Sequence, residues 1–348
     1  EPHAMIVLLL FACPDDDATD KVGTIDTSSN ACDRVHGATG ILVYEDNGDT
    51  VHFPTDAPDK ETQTTSTAGP LGDGTSWMAM FGPRVMVSDD GGCNWDFNGS
   101  GLPSTGRWQL LAAGDRVYAF DELSSQAGYS TDAGKNWNAA DVGGTFLAQP
   151  VAGATSTTVR GIQSRGVVTT EDGGVNWSVT ATLPAVDVVA GDVFAGDTER
   201  IFVVTPTGGY TSRTGGASWD DISAAVTTDS FVPSRAAIHP DNADVLFMSG
   251  EDDDGPVIVR STDGGASWDD AASIRQVDLD AGAPLWPVPG SGTTVLSGWA
   301  TRDDDYGMNL YVVSTTGIHT SHVGSYWGLN DVSFRDDGAW IAAVHGVE

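Results

Sequence analysis

The sequence predicts an all-β chain assembled from a repeated unit. Three observations lead there: a short motif returns at near-constant spacing, glycine recurs at fixed offsets within it, and the intervening segments carry strand patterning. The motif Ser88-Asp-Asp-Gly-Gly-Cys-Asn-Trp95 returns as Ser130-Thr-Asp-Ala-Gly-Lys-Asn-Trp137, Thr170-Glu-Asp-Gly-Gly-Val-Asn-Trp177 and Ser261-Thr-Asp-Gly-Gly-Ala-Ser-Trp268. Two altered copies, Ser212 to Trp219 and Thr320 to Trp327, carry Thr214 and His322 in place of the central aspartate. An eroded copy at Tyr44 to Val51 keeps Asp46 and Gly48. The copies begin at 44, 88, 130, 170, 212, 261 and 320. The early steps match the ~40–45 residues of one four-stranded propeller blade, and the longer last steps imply insertions.

Each part of the motif has a physical task. Glycine at Gly92, Gly134, Gly174, Gly216, Gly265 and Gly324 supplies positive φ for a tight turn between antiparallel strands. The aspartates Asp90, Asp132, Asp172 and Asp263 accept backbone N–H bonds of their own turn, and the Ser or Thr hydroxyl bonds within it. Trp95, Trp137, Trp177, Trp219, Trp268 and Trp327 are expected to turn inward. At about 25 cal/mol per Å², burying ~150–250 Å² per ring sets an upper bound of roughly 4–6 kcal/mol each. These residues are structural rather than catalytic.

Strands are read before the turns, as in Arg116-Val-Tyr-Ala-Phe120, Arg200-Ile-Phe-Val-Val204, Val245-Leu-Phe-Met248 and Leu310-Tyr-Val-Val313. After the last copy, Asp331-Val-Ser-Phe334 and Ala339-Trp-Ile-Ala-Ala343 read as two strands of a further blade. Residues 40–55 could supply its outer strands, pairing the two chain ends and removing exposed edges. The expectation is a single seven-bladed propeller over 36–348, with six and eight blades as alternatives.

The pattern S/T-x-D-x-G-x-x-W resembles the Asp-box of the BNR repeat family, which includes sialidases. The layout is most similar to propellers of the photosystem II stability/assembly factor type, which are exported, often lipid-anchored and non-catalytic. That resemblance implies boxes at the turns joining third and fourth strands, a binding face at the opposite end, and a protein partner. Sialidases of the BNR family grip a carboxylate with three arginines beside a Tyr–Glu pair. Arg84, Arg160, Arg235 and Arg302 are scattered, and the Arg-Ile-Pro motif is missing ahead of the first box. A glycoside hydrolase of sialidase type is therefore the alternative to an exported binding or scaffold propeller with a protein or glycan ligand.

Composition narrows the partners. The 348 residues include 49 acidic and 16 basic side chains, for a formal net charge of −33. Lysine occurs only at Lys21, Lys60 and Lys135. Such a surface repels phosphate backbones and excludes nucleic acid as a partner. It attracts cations or basic partners, or serves solubility in a saline setting. A hydrophobic content of 40% supports a real core, and a monomer is expected.

At the N-terminus, Met5-Ile-Val-Leu-Leu-Leu-Phe-Ala-Cys13 is too short to span a bilayer. Residues 1–13 read as the end of a signal peptide whose Leu10-Phe11-Ala12-Cys13 resembles a lipobox, with Cys13 lipidated; a hydrophobic first strand is the other reading. Residues 14–35 read as an acidic tether, giving an extracytoplasmic location with membrane attachment only through the lipid. Cys32 and Cys93 could pair as a disulfide or remain buried thiols.

Two loops are unusually acidic. Asp252, Asp253 and Asp254 fall in one, and Asp303, Asp304 and Asp305 in the next. Clustered carboxylates suit Ca²⁺, or the loops are simply solvated; no other cofactor is implied. Neither zinc spacing, a phosphate loop nor a nucleophile elbow is present. His322 reads as a turn substitute and His239, ahead of Pro240, as a loop residue.

Overall fold

The computed structural model describes residues 5–10, 42–43, 64–72, 76–81, 84–89, 96–98, 101–102, 106–223, 230–253, 255–273, 284–290, 295–301, 307–314, 317–324, 326–334 and 340–346. Short β-branched and aromatic runs separated by glycine turns form strands, and those strands assemble into four-stranded sheets. Among the described residues, six sheets are consecutive antiparallel meanders. The second, for example, runs Trp108–Ala113, Arg116–Asp121, Gln126–Ser130 and Asn138–Asp141. The fifth runs Val232–His239, Asn242–Asp252, Gly255–Ser261 and Asp269–Ser273.

The terminal sheet is different. Tyr326–Phe334 and Trp340–Gly346 pair antiparallel, Met5–Leu10 lies antiparallel to Trp340–Gly346, and Leu42–Val43 pairs parallel to Met5–Leu10. The strand beside Trp340–Gly346 thus comes from the apolar N-terminal run, and only the outermost strand comes from the 40–55 stretch. The last motif copy is also placed differently from the sequence expectation. Thr320 lies in the strand Gly317–Gly324 and Trp327 in Tyr326–Phe334, so this stretch is not a hairpin turn. The turn of that sheet falls earlier, where Ser314 pairs with Gly317. Asp90, Trp95, Cys93, Cys32, Cys13 and the copy at Tyr44 to Val51 lie outside the described residues.

The repeated turns join third and fourth strands. Ser130 Oγ donates to Asp132 Oδ1 at 2.8 Å and accepts the Gly134 N–H at 2.9 Å. Asp132 in turn accepts the Asn136 backbone N–H at 2.8 Å and its side-chain amide at 2.7 Å. Thr170 with Asp172, and Ser261 with Asp263, repeat the pattern. In the altered copy, Ser212 accepts Gly216 N–H at 2.9 Å and Thr214 Oγ1 accepts Ser218 N–H at 2.9 Å. Two successive residues adopt positive φ in each turn, such as Gly173 at 80° and Gly174 at 96°. In the second sheet the first of these is Ala133 at 56°.

The turns dock on the preceding sheet. A Cβ on Gly265 would lie 2.6 Å from Ile222 Cδ1 of the fourth sheet, so only glycine fits. The tryptophan rings enter the seams between sheets rather than a central core. Trp177 meets Phe120 and Phe146 edge-on, at 5.7 and 5.9 Å between centroids. Trp268 packs on Phe202 at 6.0 Å. Trp137, Trp177 and Trp219 are only half-buried, while Trp268 is buried. The full inward burial expected of every ring is therefore met at Trp268 alone among these four. Among the described residues the seams of the first five sheets hold separate apolar clusters, such as Met78, Val85, Trp108 and Leu110 between the first and second, and Phe202, Leu246, Met248 and Val257 between the fourth and fifth.

First strands of neighbouring sheets lie side by side and are stitched by buried polar side chains. Asp331 of the terminal sheet accepts Ser66 Oγ at 2.5 Å and Thr67 N–H at 2.9 Å from the first sheet. Ser66 Oγ accepts Leu110 N–H from the second at 2.8 Å. Asp192 of the fourth sheet accepts Ile238 N–H from the fifth at 2.8 Å. Desolvation pushes the carboxyls of Asp192 and Asp331 up to about 6 from an ordinary 3.8, against the pull of these donors; the charge of Glu122 adds to the rise at Asp331.

Two outcomes follow from these features. Ala133→Gly removes a left-handed alanine that costs roughly 1–2 kcal/mol and adds unfolded-state entropy, for a net gain of about 0.5 kcal/mol in thermal unfolding. The second concerns pH. The folded state binds protons at Asp192 and Asp331 more tightly than the unfolded chain does. Their stabilising contribution is therefore full below 3.8 and is lost as pH rises through about 6. Hydrogen bonds from Asn136, Asn176 and Ser267 hold Asp132, Asp172 and Asp263 below the ordinary value. Their contribution exists above 3.8 and disappears as pH falls further. Calorimetry should show the unfolding temperature rising on acidification from neutrality through pH 6, then falling below 3.8; a steady decline from neutrality would count against the assignment.

Candidate binding face

The hairpins joining second and third strands lie at the end of the sheets opposite the repeated turns, together with the connections from one sheet to the next. Tight local bonding builds this end. Asp121, buried where the second sheet turns, accepts Arg107 N–H at 3.0 Å and Leu123 N–H at 3.2 Å. Asp141 accepts Gly143 N–H at 2.7 Å and Asp221 accepts Ser223 N–H at 2.9 Å; these bonds hold both carboxyls below the ordinary range. Such capped aspartates fix the loop backbone, so the surface they present is preorganised.

Two described guanidinium groups at this end, both exposed, are bonded to neighbouring groups of the fold. Arg107 Nε sits 2.6 Å from Glu122 Oε2, whose other oxygen accepts Gln109 Nε2 at 2.7 Å. Arg165 donates to Gln163 Oε1 at 2.6 Å and to Val142 O of the neighbouring sheet. Apolar side chains, by contrast, stand out into solvent: Leu123 is 75% exposed and Val186 102%, and Val189 and Val232 are also exposed. Val175 lies in a repeated turn and Val179 in a fourth strand, so four of the six large exposed apolar residues described share the face opposite the repeated turns.

Of the scattered arginines of the sequence, Arg160 and Arg235 are described, and they have separate partners. Arg160 points to the turn end, donating to Thr198 O at 2.6 Å and Thr169 Oγ1 at 3.2 Å. Arg235 donates to its neighbour Ser234 O at 3.0 Å. Arg302 is outside the described residues, as is the side chain of Arg84. Further arginines act as latches at the turn end, Arg116 to Gly173 O at 3.0 Å and Arg200 to Asp244.

Asp252 and Asp253 occupy the second-to-third hairpin of the fifth sheet, where Asp252 pairs with Gly255 and Asp253 N–H donates to Ser230 Oγ at 3.2 Å. Asp254, Asp303, Asp304 and Asp305 lie outside the described residues. Among the described residues, no group of His, Cys, Asp and Glu is arranged to hold a metal ion. His239 is not a loop residue but closes the strand Val232–His239, fully buried. Burial holds its imidazole below the ordinary value, partly offset by Asp241, and its Nδ1 accepts the Asp241 N–H at 3.3 Å. Sequence reasoning also passed over Asp192 and Asp331; in so aspartate-rich a chain nothing but burial marks them.

Residues 82–278 match the family model described as the DUF6242 beta propeller domain. A xyloglucanase from Paenibacillus sp is 26% identical over 184 residues, which is 51% of this chain and 17% of that enzyme. The chain therefore spans about a sixth of the length of that curated relative. Among solved structures, YCF48 bound to D1 peptide superposes with a TM-score of 0.58 at 16% identity, covering 81% of this chain and 93% of that one. The GH74 xyloglucanase from Xanthomonas campestris superposes with a TM-score of 0.59 at 15% identity, covering 82% of this chain and 51% of that one. The architecture is an all-β propeller.

Proposed function

The chain belongs to the DUF6242 β-propeller family, and we propose that it is a non-enzymatic binding propeller that holds a protein partner. In this reading it has seven blades and is closed where both chain ends contribute to one sheet. The observation that carries it is the face opposite the repeated turns, where the exposed Arg107 is paired with Glu122, the exposed Arg165 donates to the Val142 carbonyl, and apolar side chains are left to solvent. Surface that gains by being covered is thus exposed there. YCF48, which shares the fold, is seen with a bound peptide.

A second reading is glycoside hydrolysis, favoured by the identity with the xyloglucanase. It requires two carboxyl groups flanking a glycosidic bond. The two described carboxyls raised to about 6, Asp192 and Asp331, are buried in different seams with their oxygens on backbone N–H groups. Both bond one sheet to the next. Incubation with xyloglucan and with sialylated oligosaccharides, followed by reducing-end assay, is expected to show no turnover above the uncatalysed rate; release of oligosaccharide from either would replace the binding reading with the enzymatic one.

Export and closure make one linked test. Lipidation at Cys13 removes Met5–Leu10, whereas closure retains it against Trp340–Gly346. The mass of the N-terminal peptide from the native protein is expected to include Met5–Leu10. A mature chain beginning at Cys13 would instead leave the terminal sheet without that strand.

A further inference from the structure

We propose that the end of the seam between the fourth and fifth sheets, opposite the repeated turns, is the docking surface, and that its occupant is a cationic protein segment carrying apolar side chains. The inference rests on the protein-binding reading and gives it a place and a partner chemistry. Val189 N–H bonds Val204 O at 2.9 Å, and Val204 belongs to the same buried cluster as Phe231. Val232 follows Phe231 directly, so Val189 and Val232 flank one seam, with Val186 three residues ahead of Val189 on the same connection. All three are exposed. Isolated exposed apolar residues need no explanation, but several beside one seam leave surface that a partner can cover.

Charge identifies the partner. Asp187 is exposed between Val186 and Val189, Asp221 ends the fourth sheet, and Glu251 pairs directly with Val232. Asp253, exposed at the hairpin tip, is tied to the Val232 side through Ser230. Against these carboxylates the described cation on that strand is the exposed Arg235, which donates to Ser234 O and keeps its charge. The patch is thus apolar with an acidic rim, on a chain of net charge −33. Lysine or arginine between apolar residues satisfies both features, whereas an acidic segment would be repelled.

The test uses two synthetic peptides of equal length, one alternating lysine with leucine and one alternating glutamate with leucine, titrated onto the full chain by fluorescence anisotropy. The lysine peptide is expected to bind and to weaken as salt is added, and the glutamate peptide not to bind. Val186→Ser with Val232→Ser, and separately Asp187→Asn with Asp253→Asn, should each weaken the lysine peptide by about tenfold or more. Val175→Ser, in a repeated turn, should leave it unchanged. All these side chains except Val232 are fully on the surface side of the fold, and circular dichroism checks that every variant folds. Binding that survives both double variants, or that falls equally with Val175→Ser, overturns this site while leaving protein binding standing. Failure of the lysine peptide together with binding of xyloglucan oligosaccharides overturns the protein-binding reading as well.

Discussion

Sheets in this architecture share no backbone ladder with their neighbours, so everything depends on what crosses the seams. Each sheet makes its ladder bonds internally, and what it offers the next is mainly side chains. Apolar clusters supply most of the cohesion, but they are non-directional and would tolerate sliding. Direction comes from a few buried polar stitches: Asp331 to Thr67, Ser66 to Leu110, Asp192 to Ile238. Removing one of these acceptors leaves a buried N–H unpaired, which costs more than the bond itself contributes. At the rim, arginines latch one sheet to the next, as Arg116 does to Gly173 O.

The repeated turn is a second device for the same problem. Its internal bonds shape the hairpin, yet its glycine and tryptophan face the preceding sheet. Gly265 lies against Ile222, and Trp268 against Phe202. The motif is therefore as much a joint between sheets as a turn within one, which accounts for its tolerance of half-exposed tryptophan rings.

The all-β propeller was legible in the sequence because spacing, glycine offsets and strand patterning agree with one another. The local turn could also be read, down to the hydroxyl and carboxylate acceptors, since its bonds connect residues within eight positions. Features made by residues far apart in the chain were not legible. Thr320 to Trp327 imitates the motif but lies in two strands, because pairing with the neighbouring strand decides its conformation. His239 looked like a loop residue beside Pro240, yet tertiary packing buries it at a strand end. The face opposite the turns was placed correctly by topology, but which of its side chains stand exposed depends on contacts that no spacing encodes.

Thr214 shows how such a chain can diverge. A neutral hydroxyl there holds the Ser218 N–H at 2.9 Å, the bond that a carboxylate makes in the other turns, while Ser212 still caps Gly216. The acid is thus the replaceable part of the motif; the first hydroxyl and the paired left-handed residues are the conserved geometry. Divergence can strip charge from one blade at a time without unseating it. Counting aspartates in a relative would then undercount its blades, whereas a search for the hydroxyl followed by two left-handed positions would find them.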